Sequence, residues 1–281
     1  VLNPVWLVGV ASRLLGRELS LLRELGAGQH AVTVLVSDGL TELVVRGFPR
    51  ADPAVGHELP VLDRIAPLWE LVPRLVVHGH EEGYPVIVTT ALPGSTPAPD
   101  LPLDAVAKQM ASALARIHSL DGQGLREDHP APAAGESAIA VQARNELKTL
   151  DLSERVLTHH DFWCGNAVWQ GDVLTGVVDW SGARHAPRGL DIAWCRQDLI
   201  LLGSTEAAQT FLGEYRRLSG LEVSDIAAWD VLAAAQAHPV VETWAPNYHG
   251  IGRLDITPGV LRQRLDRWIA DISALKPSGG N

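Results

Sequence analysis

The densest set of chemically capable side chains lies in Val156-Leu157-Thr158-His159-His160-Asp161-Phe162-Trp163-Cys164-Gly165-Asn166-Ala167-Val168-Trp169, followed by Gly176-Val177-Val178-Asp179-Trp180. Asp161, Asn166 and Asp179 offer two carboxylates and a carboxamide oxygen. Such a set suits a hard cation such as Mg2+, which takes oxygen ligands and leaves room for substrate phosphates. A carboxylate left off the metal could accept a proton from an attacking hydroxyl. That division of labour is phosphoryl transfer, with one Asp and one Asn on metal and another Asp orienting the nucleophile. Taken singly, each Asp is equally a turn or cap residue; the joint pattern points to chemistry.

These residues need a hairpin to bring them together. Short alternating runs predict strands at Val156–Thr158, Ala167–Gln170 and Val173–Val178, the last two joined at Gly171-Asp172. Asp161 then sits in a loop after a strand, Asn166 at the edge of the next strand, and Asp179 at the end of the return strand.

Around this hairpin the period is helical. Helices are expected over 102–120, about 136–151, 189–202, 204–219, 224–244 and 257–274, the last opening on Thr257-Pro258. The N-terminal third differs. A short helix at 4–15 precedes strands at Leu19–Leu25, Ala31–Ser37 and Thr41–Phe48. Asp38-Gly39 marks a tight primed turn between the second and third. Residues 53–66 read as a helix interrupted by Pro60, and Arg74–His80 and Tyr84–Thr90 as two more strands. Ala91–Pro102 breaks both periods with four prolines and is the linker candidate. The expected class is α+β. A small antiparallel-sheet lobe with one helix, residues 1–92, precedes a larger, mainly helical lobe, residues 93–281.

Composition narrows the partners. The chain has 281 residues, 23 basic and 33 acidic side chains, and a formal charge of −10. That balance speaks against nucleic acid or an anionic membrane as main partner. The only lysines are Lys108, Lys148 and Lys276, none after a glycine, so there is no Walker A loop. No signal peptide or membrane-spanning run is evident, and two cysteines fit a reduced, cytoplasmic setting. A monomer or weak dimer is expected.

His159-x-Asp161-x-x-x-x-Asn166 with Val177-Val178-Asp179-Trp180 resembles the aminoglycoside phosphotransferase family, which includes choline and macrolide kinases and shares the two-lobed protein-kinase fold. The resemblance implies ATP and Mg2+, with Asp161 as catalytic base and Asn166 and Asp179 as metal ligands. Gly189-Leu190-Asp191 matches the following segment, where the family has an Asp that steadies the catalytic loop; His159 would support the same loop. The family's glycine before the catalytic Asp is replaced by His160, which could alter the backbone or touch substrate. The usual strand lysine is absent, and Arg46 stands in its place, with Glu58 as partner. Guanidinium is permanently charged and can grip phosphate with two bonds, so the exchange is reasonable without being equivalent. Thr89–Leu92, including Thr90 and Leu92, would form the hinge that reads adenine.

Other motifs are weaker. Gly26-Ala27-Gly28-Gln29-His30-Ala31 fits a dinucleotide fingerprint, but a strand follows where a helix is required. A phosphate-covering flap that includes Gly28 fits better. His78-x-His80 and His159-His160-Asp161 lack partners at zinc spacing. Nothing matches the serine-hydrolase elbow. Trp163, His160, Glu242 and Trp244 are candidate contacts to the acceptor. Most of the negative charge falls in 93–281, which favours a cationic acceptor such as an aminoglycoside or a basic cyclic peptide antibiotic. A metabolic kinase acting on choline, homoserine or a sugar, and a catalytically inactive kinase-like binding protein, are the alternatives.

Overall fold

The computed structural model describes residues 2–28 and 31–274. Gln29, His30 and the tail containing Lys276 lie outside the described residues. The chain divides into two compact units, Val1–Pro93 and Gly94–Asn281.

The first unit opens with helix α1, Pro4–Leu15. Asn3 caps it by accepting a hydrogen bond from the Trp6 N–H at 2.9 Å, and Gly16 ends it at φ 66°. Strands β1 (Ser20–Gly28), β2 (Ala31–Ser37), β3 (Glu42–Gly47), β4 (Leu75–Glu81) and β5 (Tyr84–Thr90) form one antiparallel sheet in the order β1-β2-β3-β5-β4. Leu7, Val10 and Ala11 of α1 pack on Val34, Val36, Leu43, Val45, Val86 and Val88, the inward set of the alternating strands.

Two local expectations need correction. Residues 38–41 form a loop between β2 and β3, not a two-residue primed turn. Asp38 Oδ1 accepts from the Leu40 and Thr41 N–H groups, and Gly39 alone takes positive φ there. Helix α2, Ala54–Ile65, also runs unbroken through Pro60. The carbonyl that Pro60 cannot serve belongs to Gly56, on the exposed side, where losing one internal bond is tolerated.

The second unit contains α3 (Leu103–Ile117), α4 (Ala138–Leu147), β6 (Arg155–Thr158), β7 (Ala167–Gln170), β8 (Val173–Val177), β9 (Arg184–Pro187), α5 (Gly189–Leu202), α6 (Thr205–Ser219), α7 (Ile226–Ala237), α8 (Ala245–Gly250) and α9 (Pro258–Ala274). β7 and β8 pair as a hairpin, and β6 pairs with β9, a strand the sequence pattern did not signal. Nearly all of α5 is buried, as a helix apolar on every side must be. The helix expected over 224–244 stops at Ala237. Pro239 has no N–H to continue it, Val240 leaves helical geometry at φ −135°, and α8 begins only at Ala245.

One buried ion pair ties this unit together. Arg196 on α5 meets Asp230 on α7 at 2.9 and 3.0 Å and donates to the Ala208 carbonyl of α6 at 2.8 Å. Satisfied on several sides, the pair fixes α7 against α5. Removing one partner of such a pair costs about 3–5 kcal/mol.

Candidate active site

The loop that carries Asp161 is built on α5. Asp191, fully buried in its first turn, accepts from the His159 N–H at 2.6 Å and the His160 N–H at 2.7 Å. The His118 Nε2–H adds a third bond at 3.2 Å, and the Tyr215 hydroxyl donates to His118 Nδ1 at 2.8 Å. Burial pushes the His118 imidazole down, so it stays neutral. Burial would raise Asp191, but the His118 and His159 donors outweigh it and hold the carboxyl below its usual value. His159 also donates from Nε2 to the Val178 carbonyl at 2.9 Å, tying the loop to the strand that precedes Asp179.

This clamp sets a special backbone. His160 lies at φ 71°, the left-handed region where glycine is at home. The histidine therefore keeps a glycine-like path, and its side chain is turned to use. Nε2 donates to Asp128 Oδ2 at 2.9 Å, and the Arg184 guanidinium meets the same oxygen at 2.9 Å.

Asp161 follows directly. Its Oδ1 accepts from the Trp194 indole N–H at 3.1 Å, and its Oδ2 from Asn166 Nδ2 at 3.0 Å. Asn166 Nδ2 also donates to the Asp161 carbonyl at 2.9 Å. The Asn166 carboxamide oxygen is then the atom left for a cation. The Val178 N–H donates to the Asn166 carbonyl at 2.8 Å, which sets Asn166 beside the strand end carrying Asp179. Asp179 is exposed at φ 60°, with Oδ1 accepting from the Ser181 hydroxyl at 2.8 Å. Asn166 and Asp179 thus flank one hairpin with hard oxygen donors, the chemistry Mg2+ takes. Among the described residues no group of three or more His, Cys, Asp or Glu is arranged to hold a metal.

Sequence reasoning missed several supporting residues. Trp194 and Asp128 touch the Asp161 loop from distant positions, and only a pairing of remote segments reveals them. Asp198, one turn beyond Trp194, is another. It accepts from the Cys164 N–H and the Tyr248 hydroxyl, each at 3.1 Å. Burial pushes its carboxyl up to about 6, with these donors offsetting only part of the shift. In the unfolded chain the group titrates near 3.8. Between those values the folded chain holds a proton that the unfolded chain has released. This contribution is therefore fully present below the unfolded value and is lost as pH rises through the folded one. Asp198→Asn should remove that loss. The unfolding free energy of wild type minus variant should fall by about 3 kcal/mol between roughly pH 4 and pH 7. A difference flat with pH, read by urea titration, would count against the assignment.

The expected acceptor contacts are spread out. His160 lines a cleft with Asp161, Asp128 and Trp194. Trp163 packs edge-on to Tyr248, and its ring fills the space a side chain at Gly165 would need. Trp244 lies against Trp194 with ring centres 5.5 Å apart. Glu242 is bound to Arg262 at 2.6 and 2.8 Å, and that hydrogen-bonded guanidinium holds its carboxyl down at about 2. Cys164 and Cys195 are free and buried, and burial raises both thiols, which leaves them unreactive.

In the first unit Arg46 on β3 forms an ion pair with Glu58 on α2, and its guanidinium lies over the Phe48 ring at 5.1 Å. Glu58 is buried. Gly28 ends β1, opposite Ala31. The Thr90 N–H donates to the Arg74 carbonyl at 2.9 Å and the Ala91 N–H to the Glu42 carbonyl at 3.3 Å. Among the described residues Leu92 therefore supplies the first unspent N–H after β5.

A five-stranded antiparallel sheet unit is followed by a mainly helical unit that carries Asp161, Asn166 and Asp179 on a loop and hairpin. The sequence matches the phosphotransferase enzyme family over residues 21–235, and the chain belongs to that family. Solved structures give the same fold. Macrolide 2'-phosphotransferase MphH from Brachybacterium faecium superposes with TM-score 0.67 at 18% identity, covering 99% of this chain and 100% of that one. Spectinomycin phosphotransferase APH(9)-Ia, solved with ADP and spectinomycin, gives 0.67 at 12% identity, covering 98% and 99%. A thermostable variant of aminoglycoside phosphotransferase APH(4)-Ia, solved with ADP and hygromycin B, gives 0.63 at 18% identity, covering 97% and 99%. Comparison with curated proteins yields no match. No helix among the described residues is long and apolar enough to cross a membrane.

Proposed function

We propose that this chain transfers the γ-phosphate of ATP to a hydroxyl of a small molecule, and that the acceptor is an antibiotic inactivated by the transfer. The observation that carries this reading is the setting of Asp161. Its two oxygens are oriented by Trp194 and Asn166, each keeps a lone pair, and the carboxylate borders an open cleft. A hydroxyl brought to that carboxylate can give up its proton as its oxygen attacks phosphorus. Asn166 and Asp179 would hold Mg2+, which supplies charge neutralisation of the polyphosphate. His159, His160 and Asp191 keep the Asp161 backbone fixed, so little reorganisation is needed when substrate arrives.

In the first unit, Arg46 would meet the nucleotide phosphates while Glu58 limits its freedom, and the Leu92 N–H would meet the adenine edge. The ADP and antibiotic ligands of the neighbouring structures support a nucleotide and a hydroxylated acceptor here. Arg46→Lys keeps the charge but loses the planar fork. It should raise the KM for ATP by about tenfold with the acceptor KM little changed. Steady-state kinetics on both substrates checks this. An equal rise in both would place Arg46 outside nucleotide binding.

Screening hydroxylated antibiotics and metabolites for acceptor-dependent ADP release tests the function itself. Phosphorylation of an antibiotic supports the reading. Turnover only with choline, homoserine or a sugar would make the chain a metabolic kinase, and nucleotide binding without any transfer would make it a binding protein.

A further inference from the structure

The cleft beside Asp161 encloses about 420 Å³, within the range of small-molecule sites. One wall comes from α5 and α7: Leu190, Ala193, Trp194, Trp229, Leu232 and Ala233. Trp229 is held there by close packing, since a methyl group at Gly189 would come within 2.3 Å of its ring. The polar side comprises Asp128, His129, His160, Asp161 and Gln236.

Apart from Asp161, the ionisable groups on that side are already engaged. Asp128 is shared by Arg184 and His160, both at 2.9 Å. His129 receives the Arg155 guanidinium at 2.8 Å. Among the described residues Asp161 is thus the only carboxylate of the lining without a cationic partner, and on the proposed function it is the group reserved for the attacking hydroxyl. A molecule with several ammonium groups needs several free carboxylates to replace its lost hydration, because burying an unpaired charge is costly. Of the other carboxylates of 93–281, Glu242 is spent on Arg262, Glu214 on Arg217 and Asp255 on Arg253.

We infer that this cleft takes a predominantly apolar acceptor carrying at most one positive charge, laid along the α5–α7 wall with one hydroxyl at Asp161. This rests on the phosphotransferase reading for the hydroxyl's role. It departs from the polycationic acceptor that net charge suggested. The Asp128–His160–Arg184 cluster supplies the polar end, where a second hydroxyl or a carbonyl of the acceptor finds both a donor and an acceptor.

The test is a binding titration read by intrinsic tryptophan fluorescence, since Trp194 and Trp229 line the cleft. Two panels are used at low and high salt. One contains apolar hydroxylated compounds such as erythromycin; the other contains polyamines such as hygromycin B. The expected result is saturable binding from the apolar panel, insensitive to salt and weakened roughly tenfold by Gln236→Trp, which fills the cleft mouth from an exposed position. Binding confined to the polyamines, binding from either panel that salt abolishes, or no binding from either panel overturns the inference. ADP release measured on the same samples separates the two readings. An apolar ligand that binds in the cleft without turnover sinks the phosphotransferase reading and leaves this one standing. A phosphorylated polyamine does the reverse.

Discussion

Asp161→Asn should lower phosphate transfer on the order of a thousandfold while nucleotide affinity stays within a few-fold of wild type. The carboxamide is the same size, so the loop keeps its packing. What changes is basicity and the pattern of donors around it. Both oxygens of Asp161 now accept, one from Trp194 and one from Asn166. An amide at this position must set its own N–H group against one of those donors. The Asn166 side chain could turn to relieve the clash, which would also misdirect its oxygen. Asp161→Ala separates the two effects, because it offers no donor to Asn166. Loss of similar size in both variants assigns the effect to the missing base. A large loss in the asparagine variant alone would assign it to Asn166. Nucleotide binding by calorimetry and the thermal midpoint serve as controls.

A second large effect is expected at Asp191. It touches no substrate, yet two consecutive loop N–H groups and His118 depend on it. Asp191→Ala leaves these donors buried without a partner, at about 1–3 kcal/mol for each unsatisfied group. The expected loss is roughly 3 kcal/mol or more in urea unfolding with the slope unchanged. Activity should fall further than stability alone explains, because the grip on the His160 N–H helps hold its positive φ. Asp191→Asn keeps one acceptor oxygen and should fall between the two. A variant that unfolds like wild type would mean the loop is held elsewhere, and would remove the basis for its rigidity.

The elements that sequence made legible carry local signals. Asn3-Pro4 marks the start of α1, and Gly171-Asp172 with flanking alternation marks the β7–β8 hairpin. The hairpin alone sets Asn166 beside the strand end that bears Asp179, because ladder geometry follows from period two. Elements without local signals were not legible. β9 spans only Arg184–Pro187, ends on proline, and exists because β6 pairs with it. The break in α7 needed the weight given to Pro239, not to the apolar run before it. Trp194 lies 33 residues from Asp161, and Asp128 lies 32 from His160, so their contacts come from packing alone. The left-handed backbone at His160 was signalled only by the glycine that the resembling family has there, since histidine gives no turn signal of its own. Net charge counts side chains and says nothing about which are already paired.

The central claim is transfer of phosphate to an acceptor hydroxyl by the Asp161 carboxylate. Phosphorus NMR of the reaction with ATP, magnesium and an acceptor found by the screen tests it most directly, run with wild type and Asp161→Asn at matched nucleotide occupancy. The account predicts a phosphomonoester signal on the acceptor, growing with ADP in wild type and absent on the same timescale in the variant. Release of inorganic phosphate alone, or ester formation at equal rates in both proteins, would contradict it.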